Sequence, residues 1–182
     1  MFAIDLDESA QLRPLEPWQA EEFLAHIDRA RETVDPWIPW ATLSTDLESA
    51  RATLQRYADR TAQDTARLYG IWLDGVLVGG TMFVRLDAAS GNCEIGCWLE
   101  PAGTGRGLIT KSVRLMLDWA FGSRGLYRAE WRCRPDNAAS IAVARRLGMT
   151  HEGTLRAEYP YRGVRHDGQV WAITGPEWVV GR

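Results

Sequence analysis

The chain has 182 residues, of which 46% are hydrophobic and 25% charged, a balance that indicates a folded globular protein and excludes a disordered one. A formal net charge of −3 gives no overall attraction to nucleic acid, and no apolar run approaches the roughly 18 residues that cross a membrane. Three cysteines without a C-x-x-C pair predict a cytoplasmic protein with no metal site, and the length predicts a single domain over residues 1–182.

Turn residues and hydrophobic periodicity divide the chain into strands and helices. Alternating apolar residues predict a hairpin between residues 3 and 15 and strands at 67–73, 76–86, 93–99, 128–133, 150–159 and 169–174. Apolar residues at helical spacing predict helices at 18–30, 45–63, 107–121 and 135–147. Asp74-Gly75 is the strongest hairpin signal, and a polar loop is expected at 162–168. This order of elements predicts an α+β fold around one mixed sheet.

A glycine-spaced turn follows the strand that ends near residue 99, in the segment EIGCWLEPAGTGRGLITKS. Gly103, Gly105 and Gly107 allow close approach of a ligand and positive φ, and Arg106 adds charge at the start of a helix. This pattern predicts a site for a phosphate or pyrophosphate, although a plain strand-to-helix loop has the same glycine content. The Walker A pattern fails because Thr110 stands where its second glycine is needed. The dinucleotide pattern fails because its third glycine falls at Leu108 or at Thr110, depending on the glycine from which it is counted.

Four motifs in order, EIGCWLEP, GRGLITKSV, RPDNAASIAVARRLGM and EGTLR, resemble the GNAT acyltransferases, in the branch of the RimJ and RimL protein N-terminal acetyltransferases. The resemblance covers nearly the whole chain. It implies a seven-stranded mixed, mostly antiparallel sheet with about four helices. It also implies transfer of an acetyl group from acetyl coenzyme A to a primary amine, on a protein N-terminus or a small molecule, by a monomer or homodimer. Two alternatives stay open: another donor such as succinyl coenzyme A, and an acyl-CoA sensor without turnover.

The same resemblance assigns residues to the cosubstrate. The turn from Thr104 to Gly107 and the first amides of the next helix would hold the pyrophosphate, although Thr104 replaces the glutamine or arginine usual there. Backbone between two splayed parallel strands would pair with pantetheine. The cofactor-binding set is Trp98, Leu99, Thr104, Gly105, Arg106, Gly107, Leu108, Thr110, Asn137 and Ser140.

Ser140 is the candidate acid, because the resemblance places the serine of an N-x-x-S motif at the coenzyme A sulfur and the asparagine at the pantetheine. From spacing alone, Asn137 and Ser140 read as a helix capping pair. Glu94 is one candidate base, because a carboxylate on a covered sheet is costly unless it faces a polar cleft. Glu158 is the other, at the position where the resemblance implies a glutamate that works through water. Either glutamate is equally well explained as an exposed residue.

The acceptor side is less specific. The resemblance implies that an aromatic loop with Trp37 and Trp40 walls the acceptor pocket, with Glu94 and Tyr159 as further substrate-binding residues. The alternative is that the two tryptophans fill the core. Cys133 is expected in the core.

Overall fold

A computed structural model describes residues 3–38 and 43–181. Its strands are β1 (Ile4–Asp5), β2 (Ala10–Pro14), β3 (Arg67–Leu73), β4 (Val76–Asp87), β5 (Asn92–Leu99), β6 (Arg128–Cys133), β7 (Thr150–Tyr161) and β8 (Val164–Thr174). The helices within these ranges are α1 (Ala20–Val34), α2 (Leu47–Ala62), α3 (Leu108–Asp118), α4 (Ala138–Arg146) and α5 (Gly175–Val180). In this part of the chain no helix is both long and apolar enough to cross a membrane.

The strands follow the order β1-β2-β3-β4-β5-β6-β8-β7. β5 and β6 are parallel, whereas β1–β2, β2–β3, β3–β4, β6–β8 and β7–β8 are antiparallel. The predicted α+β fold with a mixed, mostly antiparallel sheet is confirmed. Its strands number eight among the described residues rather than seven, because the two-residue β1 pairs with β2 through Ile4 and Leu12.

Two elements near the C-terminus differ from the prediction. The expected loop at 162–168 is a two-residue turn, since Arg162 and Gly163 both have left-handed φ, at 50° and 78°, and β8 begins at Val164. The polar residues after the turn form an exposed stretch of strand, and their polarity made them resemble a loop. Helix α5 was missed, although Thr174 and Glu177 form the capping box that starts it.

The chain divides into two compact units, each with its own core. Unit 1 comprises Met1–Phe83 with Cys97–Ser112, and unit 2 comprises Val84–Gly96 with Val113–Arg182. Large buried side chains of unit 1 come from α1, α2 and strands β2 to β4: Leu12, Phe23, Ile27, Leu54, Ile71, Trp72, Leu77 and Phe83. Those of unit 2 come from β5, α3, β6 and β8: Ile95, Val113, Leu117, Trp131 and Ile173.

Candidate active site

The glycine-spaced turn of unit 1 leads directly into α3. Gly105 and Gly107 both have left-handed φ, at 78° and 70°, and a Cβ at either would meet nothing within 4 Å. The amide of Lys111 donates to the carbonyl of Gly107 at 3.0 Å, so the helix begins at the turn. Left-handed glycines before a helix N-terminus suit an anion. Gly103 is different: it is outside the left-handed region, and a Cβ there would lie 2.7 Å from Leu99 Cδ1, so packing requires this glycine.

The cations of this turn contact an acidic residue of the β1–β2 connection. Lys111 Nζ lies 2.8 Å from Asp7 Oδ2, and Arg106 Nη2 lies 4.0 Å from Asp7 Oδ1 while it donates to Ser9 Oγ at 2.6 Å. The hydrogen bond from Lys111, with one from the Ser9 amide, lowers the pKa of Asp7 to about 2. Sequence reasoning missed Lys111, although a basic residue one helical turn after the glycines is a signal for it. Thr104 Oγ1 donates to the Pro101 carbonyl at 2.8 Å, which engages its hydroxyl proton inside the turn.

Trp98 ends a buried hydrogen-bonded chain that the sequence did not predict. Its Nε1 donates to His26 Nε2 at 2.9 Å, and His26 Nδ1 lies 3.1 Å from Glu100 Oε2, which also accepts from Arg29 Nε at 3.3 Å. His26 is fully buried, and burial lowers its pKa to about 4 despite the neighbouring Glu100. The imidazole is therefore neutral near pH 7, with its proton on Nδ1. In the sequence, the available signal for this chain of hydrogen bonds was a single histidine on the apolar face of α1.

Two glycines of β4 let the end of β5 approach closely. A Cβ at Gly79 would lie 2.5 Å from the Trp98 carbonyl oxygen, and one at Gly80 would lie 2.2 Å from Cη2 of the Trp98 ring. The Trp98 side chain is consequently buried, at 3% exposure. The buried side chain of Trp98 leaves the backbone of this residue as the candidate for cosubstrate contacts.

Ser140 lies in the first turn of α4, in unit 2. Its amide donates to Asn137 Oδ1 at 3.0 Å, which confirms Asn137 as the N-cap, although the Ser140 side chain does not complete a capping box. The Ser140 hydroxyl takes no part in that bond, because Oγ accepts from Trp131 Nε1 at 2.9 Å. It also hydrogen-bonds to Cys133, which partly offsets the rise in the Cys133 pKa caused by burial. Cys133 is half-buried, not in the core as expected, and the serine hydroxyl faces its sulfur.

Both candidate bases belong to one charged cluster of unit 2. Glu94 and Glu130 are register partners on β5 and β6. Arg132 donates to Glu130 Oε2 at 3.3 Å and to Glu158 Oε1 at 2.8 Å. Burial raises the pKa of Glu94 and the charge of Arg132 opposes that rise, while the Glu94 carboxylate accepts no hydrogen bond within the described residues. The structure thus brings Glu94 and Glu158 together around Arg132.

Ser140 and this cluster lie on opposite faces of β6. Successive side chains of a strand point to opposite faces, so Arg132 is on one face and Trp131, which binds Ser140, is on the other. The parallel pairing of β5 with β6 ends at Ile95 and Trp131. The next residues, Gly96 of β5 and Arg132 of β6, are not paired with each other. At the end of this ladder, the Ser140 hydroxyl therefore lies on one face and the carboxylates of Glu94 and Glu158 lie on the other.

The predicted acceptor-side residues have different settings. Trp37 lies on the turn after α1 at 38% exposure, which contradicts the alternative that it fills the core. Trp40 lies outside the described residues. Tyr159 is half-buried, its ring centroid is 5.8 Å from that of His166, and burial raises its pKa.

Comparison with known proteins agrees with this architecture. The family model described as "Acetyltransferase (GNAT) domain" matches residues 10–150. "Probable N-acetyltransferase YjcK" of Bacillus subtilis is 31% identical, over 91% of this chain and 94% of its own. "Ribosomal-protein-serine acetyltransferase" of Escherichia coli is 26% identical, over 84% and 86%. The solved structure of the L7/L12 α-N-protein acetyltransferase RimL with coenzyme A has the same fold, with a TM-score of 0.88 at 24% identity, over 94% and 97%.

The match to the family model spans well over half of the chain. The ribosomal-protein-serine acetyltransferase of Escherichia coli points to one branch of that family. The chain therefore belongs to the GNAT acetyltransferases, in their RimJ/RimL-type branch, and is an acetyl-CoA-dependent N-acetyltransferase.

Proposed function

We propose that this protein, acting as one cytoplasmic domain, acetylates the α-amine of a protein N-terminus. The observation that carries the proposal is the pair of groups beside the end of the β5–β6 ladder, with the Ser140 hydroxyl on one face and the Glu94 and Glu158 carboxylates on the other. Carboxylates attract a cationic amine and accept its proton, and a hydroxyl stabilises a departing thiolate. The acceptor class is supported by the E. coli relative, whose name gives a ribosomal-protein serine as its target.

The cosubstrate is assigned to backbone rather than to large side chains. In this proposal the amides from Thr104 to Gly107 and of the first turn of α3, including Leu108 and Thr110, bind the pyrophosphate. Leu108 is buried, so it contributes only its amide. Arg106 adds positive charge. Open space beside Gly105 and Gly107 supports this assignment, because a phosphate group must approach the amides closely.

The remaining contacts concern the acyl arm. We assign the backbone of Trp98 and Leu99 to the pantetheine amides and to the thioester oxygen, Asn137 to pantetheine, and Ser140 to the sulfur. Trp37, Trp40 and Tyr159 are assigned to the acceptor. These roles follow the family resemblance, and the hydroxyl of Ser140, which already faces the Cys133 sulfur, supports the role given to it.

The proposed chemistry is a direct transfer. Glu158 or Glu94 takes the ammonium proton through a water molecule, and the neutral amine then forms a bond to the thioester carbon. A backbone amide near Trp98 stabilises the oxyanion. As the carbon–sulfur bond breaks, Ser140 donates its proton to the thiolate and takes up the second proton of the amine nitrogen, so that the amide forms and the hydroxyl is restored. No step needs a metal ion.

The test is release of free thiol from acetyl coenzyme A with a panel of acceptors. The panel contains a peptide with N-terminal serine, the same peptide with a blocked N-terminus, and spermidine as a small amine. We expect release with the free peptide and none with the blocked one. Binding of coenzyme A without release for any amine would instead support a sensor, and release only with succinyl coenzyme A would change the donor.

Ser140→Ala tests the assigned acid. We expect kcat to fall by about 100-fold while the affinity for coenzyme A changes little, because the backbone cradle is untouched. Ser123→Ala, an exposed serine after α3, is the matched control. An unchanged kcat in Ser140→Ala would remove this hydroxyl from the chemistry.

A further inference from the structure

Strand β7 has a bulge that contains one of the candidate bases, Glu158. The register with β8 moves from Leu155 opposite Gly168 to Tyr159 opposite His166. Three residues of β7, at 156–158, therefore stand opposite the single residue Asp167. A bulge of this kind redirects side chains, and bulges are common beside active sites.

The bulge is held by specific bonds. Ala157 has left-handed φ, at 49°, which is unusual for a residue other than glycine. Its amide donates to Asp167 Oδ1 at 2.7 Å, and its carbonyl accepts from Arg165 Nε at 2.9 Å. Since Asp167 belongs to β8, the side chain of the facing strand fixes the conformation of β7 at this point.

The side chain of Glu158 extends from the bulge across the neighbouring strand, β8. β8 lies between β7 and β6, yet Glu158 Oε1 accepts from Arg132 of β6 at 2.8 Å. The carboxylate passes over Gly168, where a Cβ would lie 1.6 Å from Oε2 and 2.9 Å from Cδ. Any side chain at position 168 would therefore displace Glu158.

The two carboxylate oxygens of Glu158 differ in their surroundings. Arg132 orients Oε1, whereas Oε2 accepts no hydrogen bond among the residues that the structure describes. An oriented carboxylate with one available oxygen suits a base that takes a proton from water. Glu94, the other candidate, has no hydrogen bond within these residues to orient it.

We infer that Gly168 and Asp167 are positioning residues for the carboxylate of Glu158, one of the two bases in the proposed function. Gly168 provides the space over which the carboxylate passes, and Asp167 holds the bulge that directs it there. This inference rests on the proposed function, which it extends by naming the residues that support the base.

Gly168→Ala is the first test. We expect kcat to fall by about the same factor as in Glu158→Gln, roughly 100-fold, with the KM for acetyl coenzyme A nearly unchanged. The acidic limb of kcat against pH, which reports the base, shifts in this variant. Gly153→Ala is the matched control on β7, because a Cβ there meets nothing within 4 Å, and it keeps both the wild-type rate and the wild-type profile.

Gly168→Ala, made in the wild type and in Glu158→Ala, separates a loss of positioning from a general loss of structure. Glu158→Ala removes the carboxylate that Ala at position 168 would strike, so adding Gly168→Ala to it should change neither the residual kcat nor the melting temperature further. An equal loss of Tm and kcat in both backgrounds would overturn the inference. Full kcat in Gly168→Ala, measured beside an active wild type, would also overturn the inference. A wild type that binds coenzyme A but transfers nothing would overturn the proposed function itself.

Asp167 is tested by rescue. Asp167→Asn keeps Oδ1 as the acceptor for the Ala157 amide, so kcat stays near the wild-type value, whereas Asp167→Ala lowers kcat toward that of Gly168→Ala. If both variants lose the same activity, or if both raise only the KM of the amine, Asp167 acts through its charge on the acceptor and the positioning role is wrong.

Discussion

The buried imidazole of His26 should make the stability of this protein depend on pH between about 6.5 and 4. Its pKa is lowered to about 4 from the usual histidine value of 6.5, first of all by burial. In that interval the unfolded chain binds a proton that the folded chain does not accept. The free energy of unfolding therefore falls as the pH falls through 6.5, and the loss is complete below about pH 4.

The size of this effect follows from the two pKa values. Lowering the pKa from 6.5 to about 4, at about 1.4 kcal/mol for each tenfold change in proton affinity, corresponds to about 3 kcal/mol. A typical domain has a total stability of about 5–15 kcal/mol, so this loss is readily measured. Its physical cause is that a proton on Nε2 would break the bond from Trp98 and place a charge inside unit 1.

Urea unfolding at two pH values, about 7.5 and 4.5, measures the effect in wild type and in His26→Gln. Glutamine keeps an acceptor for Trp98 Nε1 but does not titrate, so the difference between the two pH values should shrink by about 2 kcal/mol. His151→Gln, at an exposed histidine, is the control. The same pH dependence in wild type and His26→Gln would show that this imidazole is not the responsible group.

Two further variants address the cosubstrate turn and the candidate acid. Asp7→Asn removes the carboxylate that pairs with Lys111 and should raise the affinity for coenzyme A roughly two- to fivefold by isothermal titration, most clearly at low salt. Glu8→Gln, an exposed acid of the same turn, should leave the affinity unchanged, and equal effects would refute the pairing argument. Trp131→Phe removes the donor to Ser140 Oγ and should lower kcat about tenfold with little change in coenzyme A affinity. A normal kcat would show that the hydroxyl needs no such support.

Local signals account for most of what the sequence predicted. Asp74-Gly75 joins β3 to β4 as expected, Asp46 caps α2, and Asn137 caps α4. Gly148 follows α4 with left-handed φ, at 76°. These features depend on residues within a few positions of one another, so they can be read from the chain directly.

The candidate site was predicted in its residue types but not in its contacts. The sequence predicts Ser140, Glu94 and Glu158 as candidate residues, but it does not predict that Trp131 binds Ser140 or that Arg132 binds Glu158. The bulge that directs Glu158 was missed as well. It arises where β7 meets β8, and nothing in the segment AEYPY alone indicates a change of register.

The sequence by itself determined the periodic elements, the glycine turn before α3 and the family. Each of these depends on short-range backbone preferences or on motifs in a fixed order. The tertiary structure decided which groups come close together: His26 contacts Glu100, Asp7 contacts Lys111, and the Glu158 carboxylate passes over Gly168. The first two of these pairs are separated by 74 and 104 residues. Only the packing of strands and helices brings such side chains within hydrogen-bonding distance, because the interaction depends on separation in space and not along the chain.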